Sequence, residues 1–183
     1  MEKIMLPIST SMNQTVVQAA FVVNNLREAA EKWTKTFGVG PFFLMENNKI
    51  TEPKYRGLPN EVDFSTAISM AGEVQIELVE QHCENPSCYR DMFARGQEGF
   101  HHIAVVCDDY LQEVDRYVSQ GFELAFEGVF GTTNFCYVDT RSDMSCMVEL
   151  LEDTDQIRTF FEAIKKGCAD WDGSKPIRTV ADL

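Results

Sequence analysis

An internal repeat is the feature of this sequence that most constrains its fold. The segments VQAAFVVNN (17–25) and HHIAVVCDD (101–109) can be laid over each other without a gap. Each is followed by a run with helical periodicity and, further on, by an apolar strand that contains one glutamate. The sequence therefore predicts a duplicated unit whose two copies share one fold.

The order of elements is the same in both copies: a strand, a helix and three more strands. In the first copy, a strand over 16–23 precedes a helix whose apolar residues, from Leu26 to Phe37, recur at helical spacing. In the second copy, a strand over 101–107 precedes a helix marked by Leu111 and Val114. The closing strands are PFFLMEN, 62–70 and 74–80 in the first copy and FELAFEGV, NFCYVDT and SCMVELLE in the second. The predicted fold class is α+β, with two tandem βαβββ modules forming a curved mixed sheet around a central cavity.

The repeat also sets the predicted boundaries within the chain. Residues 1–15 form an N-terminal extension, 16–96 the first module with a linking helix, and 97–152 the second module. Residues 153–183 form a C-terminal helix and a polar tail, which we expect on the surface or against a partner subunit. The polar segment 47–60, with Pro53, Gly57 and Pro59, is predicted as a long loop.

Four polar side chains occupy equivalent places in the two copies. Gln18 aligns with His102 in the opening strands, and Glu77 aligns with Glu149 in the last strands. Because side chains alternate between the two faces of a strand, each glutamate lies opposite the densest apolar set and can face the cavity. The same alternation turns His101 away from the cavity, so we expect it to be structural. Four nitrogen and oxygen donors related by a duplication predict a metal site.

These segments resemble those of the vicinal oxygen chelate superfamily, which includes glyoxalase I, methylmalonyl-CoA epimerase, extradiol dioxygenases and the bleomycin and fosfomycin resistance proteins. GFHHIAVVCDD is similar to the opening strand of the second module, and VQIELVEQ and MVELLE to the last strands of the two modules. The resemblance implies the glyoxalase/bleomycin-resistance fold and one divalent metal ion held by Gln18, Glu77, His102 and Glu149. This ligand order is that of animal-type glyoxalase I, whereas the epimerases have histidine, glutamine, histidine and glutamate.

Three oxygen ligands and one imidazole suit Zn²⁺, Ni²⁺, Co²⁺, Mn²⁺, Fe²⁺ or Mg²⁺, and the sequence does not choose among them. Such an ion polarises a carbonyl group, acidifies the neighbouring C–H bond and stabilises the enolate that forms. Glu77 and Glu149 are the candidate catalytic residues that would shuttle the proton. We therefore expect a metal-dependent isomerase, epimerase or lyase that acts on a small oxygen-chelating carbonyl substrate. Tyr55, Tyr89 and Tyr137 are candidate substrate-binding residues.

Two other functions on the same fold stay open. One is a non-catalytic, resistance-type protein that sequesters a small hydrophobic molecule between the modules. The other is a non-haem iron dioxygenase, which needs two histidines and one carboxylate on the iron, and the neutral Gln18 argues against it. Arg27, Arg56 and Arg90 cannot be matched to the basic residues that bind glutathione in glyoxalase I, which argues against that substrate.

Charge and composition limit the expected partners. The formal net charge is −13, from 29 acidic and 16 basic residues, so the chain would repel nucleic acid and anionic membranes. The sequence shows no signal-peptide pattern and no apolar run long enough to span a membrane. The six cysteines form no CxxC pair and several lie in apolar runs, which favours a reduced, cytoplasmic setting. The expected partners are a small-molecule substrate and, from the resemblance, a second copy in a homodimer.

Overall fold

The computed structural model describes residues 14–183, and it confirms two tandem βαβββ modules in an α+β fold. Most of the predicted N-terminal extension, residues 1–13, lies outside the described part of the chain. The first module and the link contain β1 (Val16–Val22), α1 (Leu26–Phe37), β2 (Phe42–Met45), β3 (Thr51–Tyr55), β4 (Leu58–Pro59), β5 (Phe64–Ala71), β6 (Val74–Gln81) and α2 (Cys88–Met92). The remaining elements are β7 (Gly99–Cys107), α3 (Tyr110–Ser119), β8 (Leu124–Phe130), β9 (Thr133–Val138), α4 (Arg141–Met144), β10 (Met147–Glu152), α5 (Asp155–Cys168), β11 (Ile177–Thr179) and a final 3-10 turn.

Helix α1 forms where the sequence supplies a cap at each end and one apolar face. The side chain of Asn25 accepts a backbone hydrogen bond from the first turn, and Gly38 ends the helix in the left-handed conformation, with φ 74°. Leu26, Ala29 and Ala30 are buried against one face of the first module's strands. Helix α3 covers the second module in the same way. Both helices therefore leave the opposite face of the sheet free for other contacts.

The strands form one open, curved sheet in the order β11-β2-β5-β6-β1-β7-β10-β9-β8-β3-β4. Each module contributes four strands with the same pattern of directions. Its first strand pairs in parallel with its last, and its remaining pairs are antiparallel. The first strands of the two modules, β1 and β7, pair antiparallel at the centre of the sheet. The middles of β1, β6, β7 and β10 therefore lie side by side.

A β-bulge occurs once in each of the two central strands. The extra residue is Val17 in β1 and His101 in β7, and each directly precedes a predicted metal ligand, Gln18 or His102. A bulge breaks the strict alternation of side chains. The expectation that His101 and His102 point to opposite faces is therefore wrong, because the Nδ1 atoms of their rings lie 2.8 Å apart.

The segment 47–60, predicted as a long loop, contains a β-hairpin. Strands β3 and β4 pair with each other across Arg56 and Gly57, which both have positive φ, and β3 also pairs with β8 of the second module. In the sequence, the prolines of this segment favour a loop. Pro59 lies in the outermost strand and Pro53 at the register shift of β3, two places where a missing N–H group is tolerated.

The C-terminal residues fold back onto the first module. Helix α5 begins after β10, is capped by the Thr154 side chain, and packs Ile164 against β2 and β5. The polar tail, expected on the surface or against a partner, has no buried residue from 170 to 183, and its strand β11 pairs in parallel with β2 of its own chain. From residue 14 to the C-terminus, no helix combines the length and the apolar character needed to cross a membrane.

Candidate active site

A cavity lies between one face of the sheet and helix α5, and residues from both modules line it. Its volume is about 80 Å³, several times the roughly 10–15 Å³ that one water molecule needs. Twelve of its eighteen lining residues are apolar or aromatic, and the other six are polar. Such a mixture, mostly apolar with a few converging polar groups, is typical of small-molecule sites.

Three of the four predicted metal ligands line this cavity, and the fourth touches two of them. Gln18, Glu77 and Glu149 are buried in the cavity wall. His102 is fully buried, and its Nε2 lies 3.5 Å from a carboxylate oxygen of Glu77 and 3.3 Å from one of Glu149. The fold therefore brings two glutamates from different modules to one imidazole nitrogen.

The strand register explains why these side chains meet. In the first module, Gln18 pairs with the residue two positions before Glu77; in the second, His102 pairs with the residue two positions before Glu149. Across the central strands, Gln18 and His102 each pair with the residue two positions beyond the other. The strand pairing is thus shifted by the same two residues in both halves of the site. The sequence repeat predicts this equivalence of the two backbones.

Hydrogen bonding selects one tautomer of the neutral His102 ring. His101 is fully buried, and its Nε2 lies 3.0 Å from the carbonyl oxygen of Cys88, so this nitrogen donates a hydrogen bond. Burial lowers the pKa of His101 to about 3, and the neutral ring keeps a lone pair on Nδ1. That lone pair accepts the hydrogen bond from His102 Nδ1–H. In the neutral ring of His102, Nε2 is then the nitrogen without a proton, and it faces the glutamates.

Hydrogen-bond acceptors predominate where these side chains converge. Within the described part of the chain, His102 Nε2 and Gln18 Oε1 are both buried without a hydrogen-bond partner. The amide nitrogen of Gln18 donates to Gln75 Oε1 at 3.1 Å, so its oxygen is the atom left over. Buried acceptors without donors are costly unless a positive charge compensates them. One imidazole nitrogen and three oxygens are, in kind, a ligand set that fits a divalent cation.

The ligand atoms are not already arranged around an ion. In residues 14–183, no group of three or more His, Cys, Asp and Glu side chains is placed to hold a metal ion. The Nε2 atom of His102 lies 3.5 Å from an oxygen of Glu77 and 3.3 Å from one of Glu149. The metal site therefore stays a prediction.

Burial also affects the protonation of the first-module glutamate. The pKa of Glu77 is raised well above its ordinary value by burial, and the nearby charge of Glu149 raises it further. In the absence of a compensating positive charge, Glu77 therefore tends to keep its proton.

The three predicted substrate-binding tyrosines have different surroundings. Tyr89 and Tyr137 line the cavity, and their hydroxyl oxygens lie 3.3 Å apart. The ring of Tyr137 also packs edge-on against His102, with centroids 4.9 Å apart. Tyr55 does not line the cavity, and its hydroxyl donates to Asp91 at 2.7 Å. Tyr55 thus ties the β3–β4 hairpin to helix α2.

Two contributions to the site are not predicted by the sequence patterns. Helix α5 supplies Ile157, Phe160 and Phe161 to the cavity wall. Their periodicity predicts a helix but does not say which surface the helix covers. His101 orients His102, and no local signal marks it because only the bulge in β7 turns the two rings together.

Comparison with known proteins gives a match to one protein family. The family model described as the Glyoxalase/Bleomycin resistance protein/Dioxygenase superfamily matches residues 17–138, two thirds of the chain. The matched range includes Gln18, Glu77 and His102, whereas Glu149 lies beyond its end. Among curated proteins, no sequence gives a significant match.

Several solved structures share the fold. A hypothetical protein of Bacillus halodurans superposes with a TM-score of 0.57 at 15% identity, covering 79% of this chain and 98% of its own. Methylmalonyl-CoA epimerase from Mycobacterium tuberculosis gives 0.54 at 16% identity, with 83% and 96% covered. A variant of the Streptomyces coelicolor methylmalonyl-CoA epimerase, in complex with 2-nitronate-propionyl-CoA, gives 0.52 at 18% identity, with 78% and 97% covered. At these identities the likeness is one of fold.

Proposed function

The chain belongs to the Glyoxalase/Bleomycin resistance protein/Dioxygenase superfamily, and from this premise we propose that it is a metal-dependent isomerase, epimerase or lyase. Its substrate would be a small carbonyl compound with a second oxygen close to the carbonyl. The proposal rests on one observation, the approach of Glu77 and Glu149, from separate modules, to the Nε2 atom of His102. Members of the superfamily commonly use a divalent metal ion.

The residues that would hold the ion are Gln18 through Oε1, His102 through Nε2, and the carboxylates of Glu77 and Glu149. When bound, a divalent ion polarises a chelating carbonyl group and makes the neighbouring C–H bond more acidic. His101 holds the ring of His102 in the tautomer that offers Nε2 to the cavity side. The hydrogen bond from the Gln18 amide nitrogen similarly leaves its oxygen free.

Glu77 and Glu149 are the proposed acid–base pair. They lie in β6 and β10, with β1 and β7 between them in the sheet, so they approach His102 from two sides. One carboxylate would remove the proton from the carbon beside the carbonyl, and the other would return a proton. Return to the same carbon from the far side gives epimerisation, and return to the neighbouring carbon gives isomerisation.

Tyr89 and Tyr137 would supply a hydrogen bond to the substrate. Each hydroxyl has one proton, and the contact between the two oxygens uses only one of them. The second proton is available to a ligand, because both residues line the cavity. It would donate to the substrate oxygen on which negative charge develops.

Exchange of a substrate hydrogen with solvent deuterium tests the proposal. The probe is 2-hydroxy-1-phenylethanone, a ketone with a neighbouring hydroxyl group, incubated in D₂O with metal-loaded protein and followed by NMR. Glu77→Gln and Glu149→Gln should each lower the exchange rate by about 10²–10⁴-fold while the fold survives. Unchanged exchange in both variants, or none with the wild-type protein, would contradict the assignment.

A matched control lies in the same strand as Glu149. Glu152 accepts a hydrogen bond from the side chain of Asn134 at 2.6 Å and does not line the cavity. Glu152→Gln should therefore exchange the probe at the wild-type rate. This control separates the loss of a cavity carboxylate from a general effect of removing charge from β10.

The mostly apolar lining also favours a second function, a non-catalytic protein that binds a small hydrophobic molecule. Metal content separates the two proposals. After purification without chelators, the enzyme should contain stoichiometric metal and catalyse exchange, whereas a binding protein needs neither. The dioxygenase alternative would require iron and oxygen uptake.

Homodimer formation and a cytoplasmic location stay predictions. Many proteins of this superfamily are dimers, and sedimentation velocity of the purified chain would test the first prediction. A mass near twice 20.8 kDa would support it.

A further inference from the structure

The cavity offers different chemistry to different parts of a ligand. Glu77 and Glu149 converge at His102. Elsewhere in the wall, the rings of Phe130, Phe160 and Phe161 cluster, with successive centroids 6.4 and 6.3 Å apart. A ligand that fills the cavity therefore needs polar atoms for the first region and an apolar group for the second.

Helix α5 supplies much of the apolar wall. Ile157, Phe160 and Phe161 project from this helix, whereas Phe64 and Phe135 come from strands of the two modules. Ile157 is almost fully buried, with 4% of its surface exposed. Because α5 follows the second module and packs on the first, the apolar group of a ligand would contact three parts of the chain at once.

The cavity, as lined by residues 14–183, has no cationic side chain that could bind a strongly anionic part of a ligand. Among the described residues, no lysine or arginine lines it. Arg27 and Arg56 form ion pairs elsewhere, and Arg90 donates to a backbone carbonyl group. With a net charge of −13, the chain would repel a polyphosphate or polycarboxylate ligand that finds no local cation.

We propose that the substrate has an aromatic or branched alkyl group beside its chelating oxygens and contains no coenzyme A, phosphate or glutathione portion. This inference rests on the proposed function, because it assigns the oxygens of the same substrate to the region around His102. It also separates this chain from the epimerases whose solved structures contain CoA compounds, with which it shares the fold.

Binding of three probes to the purified protein tests the inference by isothermal titration calorimetry. The probes are 2-hydroxy-1-phenylethanone, hydroxyacetone and acetyl-CoA; the first two differ only in a phenyl or methyl group on the ketone. The phenyl compound should bind at least about tenfold more tightly than hydroxyacetone, because its ring leaves water for the apolar wall. Acetyl-CoA should not bind at the same concentrations. Equal affinity for the two ketones, or tighter binding of acetyl-CoA, would overturn the inference.

A variant in α5 tests whether the apolar wall is the origin of the preference. Phe161→Ala should weaken binding of the phenyl compound by about threefold to tenfold and leave hydroxyacetone unchanged. Phe161→Leu keeps most of the bulk if the alanine variant fails to fold, and it should reduce the preference less. Leu111→Ala on α3, where the side chain is 73% exposed, is the control and should bind like the wild type. A full phenyl preference in a folded Phe161→Ala variant would contradict the role of α5.

Failure of this inference and failure of the proposed function give different results. Tight binding of the phenyl compound without deuterium exchange would support the substrate class and contradict the proton transfer. Exchange of both ketones at similar rates and affinities would support the proton transfer and contradict the substrate class.

Discussion

In the first module the donor on the opening strand is an amide, Gln18, whose nitrogen donates to Gln75. At the equivalent position of the second module it is an imidazole, His102, which His101 and the Cys88 carbonyl hold in one tautomer. The strand register and the bulges are the same in both halves, so the duplication keeps the geometry while the chemistry of the donors differs. An imidazole nitrogen is the stronger ligand for most divalent transition metals. The second half should therefore dominate metal binding.

The two modules also differ in what they add to the common plan. The first module inserts the β3–β4 hairpin, which pairs with β8 of the second module. The second module continues into α5 and β11, which pack on β5 and pair with β2 of the first module. Each half thus covers part of the other, but only α5 reaches the cavity. Changes in the hairpin should affect stability, and changes in α5 should affect ligand binding.

Removing the donors one at a time should give the largest difference between the two halves. His102→Ala should weaken binding of Zn²⁺ or Ni²⁺ by more than about 100-fold, beyond the 10–100-fold typical for loss of an outer partner. Gln18→Ala should weaken it by only about tenfold, because a neutral amide oxygen is a weak ligand. Titration calorimetry with each metal measures both values. Equal losses would show that the halves contribute equally.

Substitution of His101, which orients His102, should have the second-largest effect on metal affinity. His101→Phe keeps an aromatic ring in the buried cluster but removes the acceptor for His102 Nδ1–H. Metal affinity should fall by about 10–100-fold. His101→Asn, which can still accept a hydrogen bond, should restore part of it. If His101→Phe left metal affinity unchanged, the proposed role of His101 in orienting His102 would be contradicted.

Breaking the attachment of the hairpin should affect stability and spare the site. Arg56 bonds Asp91 at 2.7 Å and Asp139 at 2.8 Å and keeps 29% of its side chain exposed. Arg56→Ala should lower the free energy of unfolding by about 1–2 kcal/mol, between the effects of buried and surface ion pairs. Lys54→Ala, on the same hairpin, breaks a more exposed pair with Glu127 and should cause no measurable change. Urea unfolding compares the two variants, and a shift in metal affinity would contradict the separation of roles.

The smallest expected effect concerns the buried carboxyl group of the first half. The raised pKa of Glu77 means that the folded state holds this proton more tightly than the unfolded state. In chelator-treated protein, stability should therefore fall as pH rises from about 4.3, the unfolded value, through the raised value. Glu77→Gln removes this loss and should stabilise the metal-free chain by about 1 kcal/mol at neutral pH. Thermal unfolding of both proteins from pH 4 to 8 measures this pH dependence of stability. The prediction would be contradicted if the Glu77→Gln variant lost stability with rising pH as steeply as the wild type.

Local patterns predicted the elements well because each depends on residues close together in the sequence. The cap at Asn25, the apolar face of α1 and the left-handed Gly38 all lie within one helix and its ends. The hairpin at 51–59 was missed because its prolines indicate a loop, and their tolerated positions depend on partners far along the chain. The bulge at His101 was missed for the same reason, since only pairing with β1 reveals it.

In the candidate site, too, some features follow from the sequence and others only from the tertiary structure. The repeat by itself determined that Gln18, Glu77, His102 and Glu149 occupy equivalent positions, because a duplication copies spacing within each unit. The tertiary structure decided that Tyr89 and Tyr137 line the cavity while Tyr55 ties down the hairpin. It also decided the tautomer of His102 and the apolar wall from α5. These features depend on which face of the sheet each distant segment packs against. Sequence periodicity cannot predict this, because it describes one helix or strand at a time.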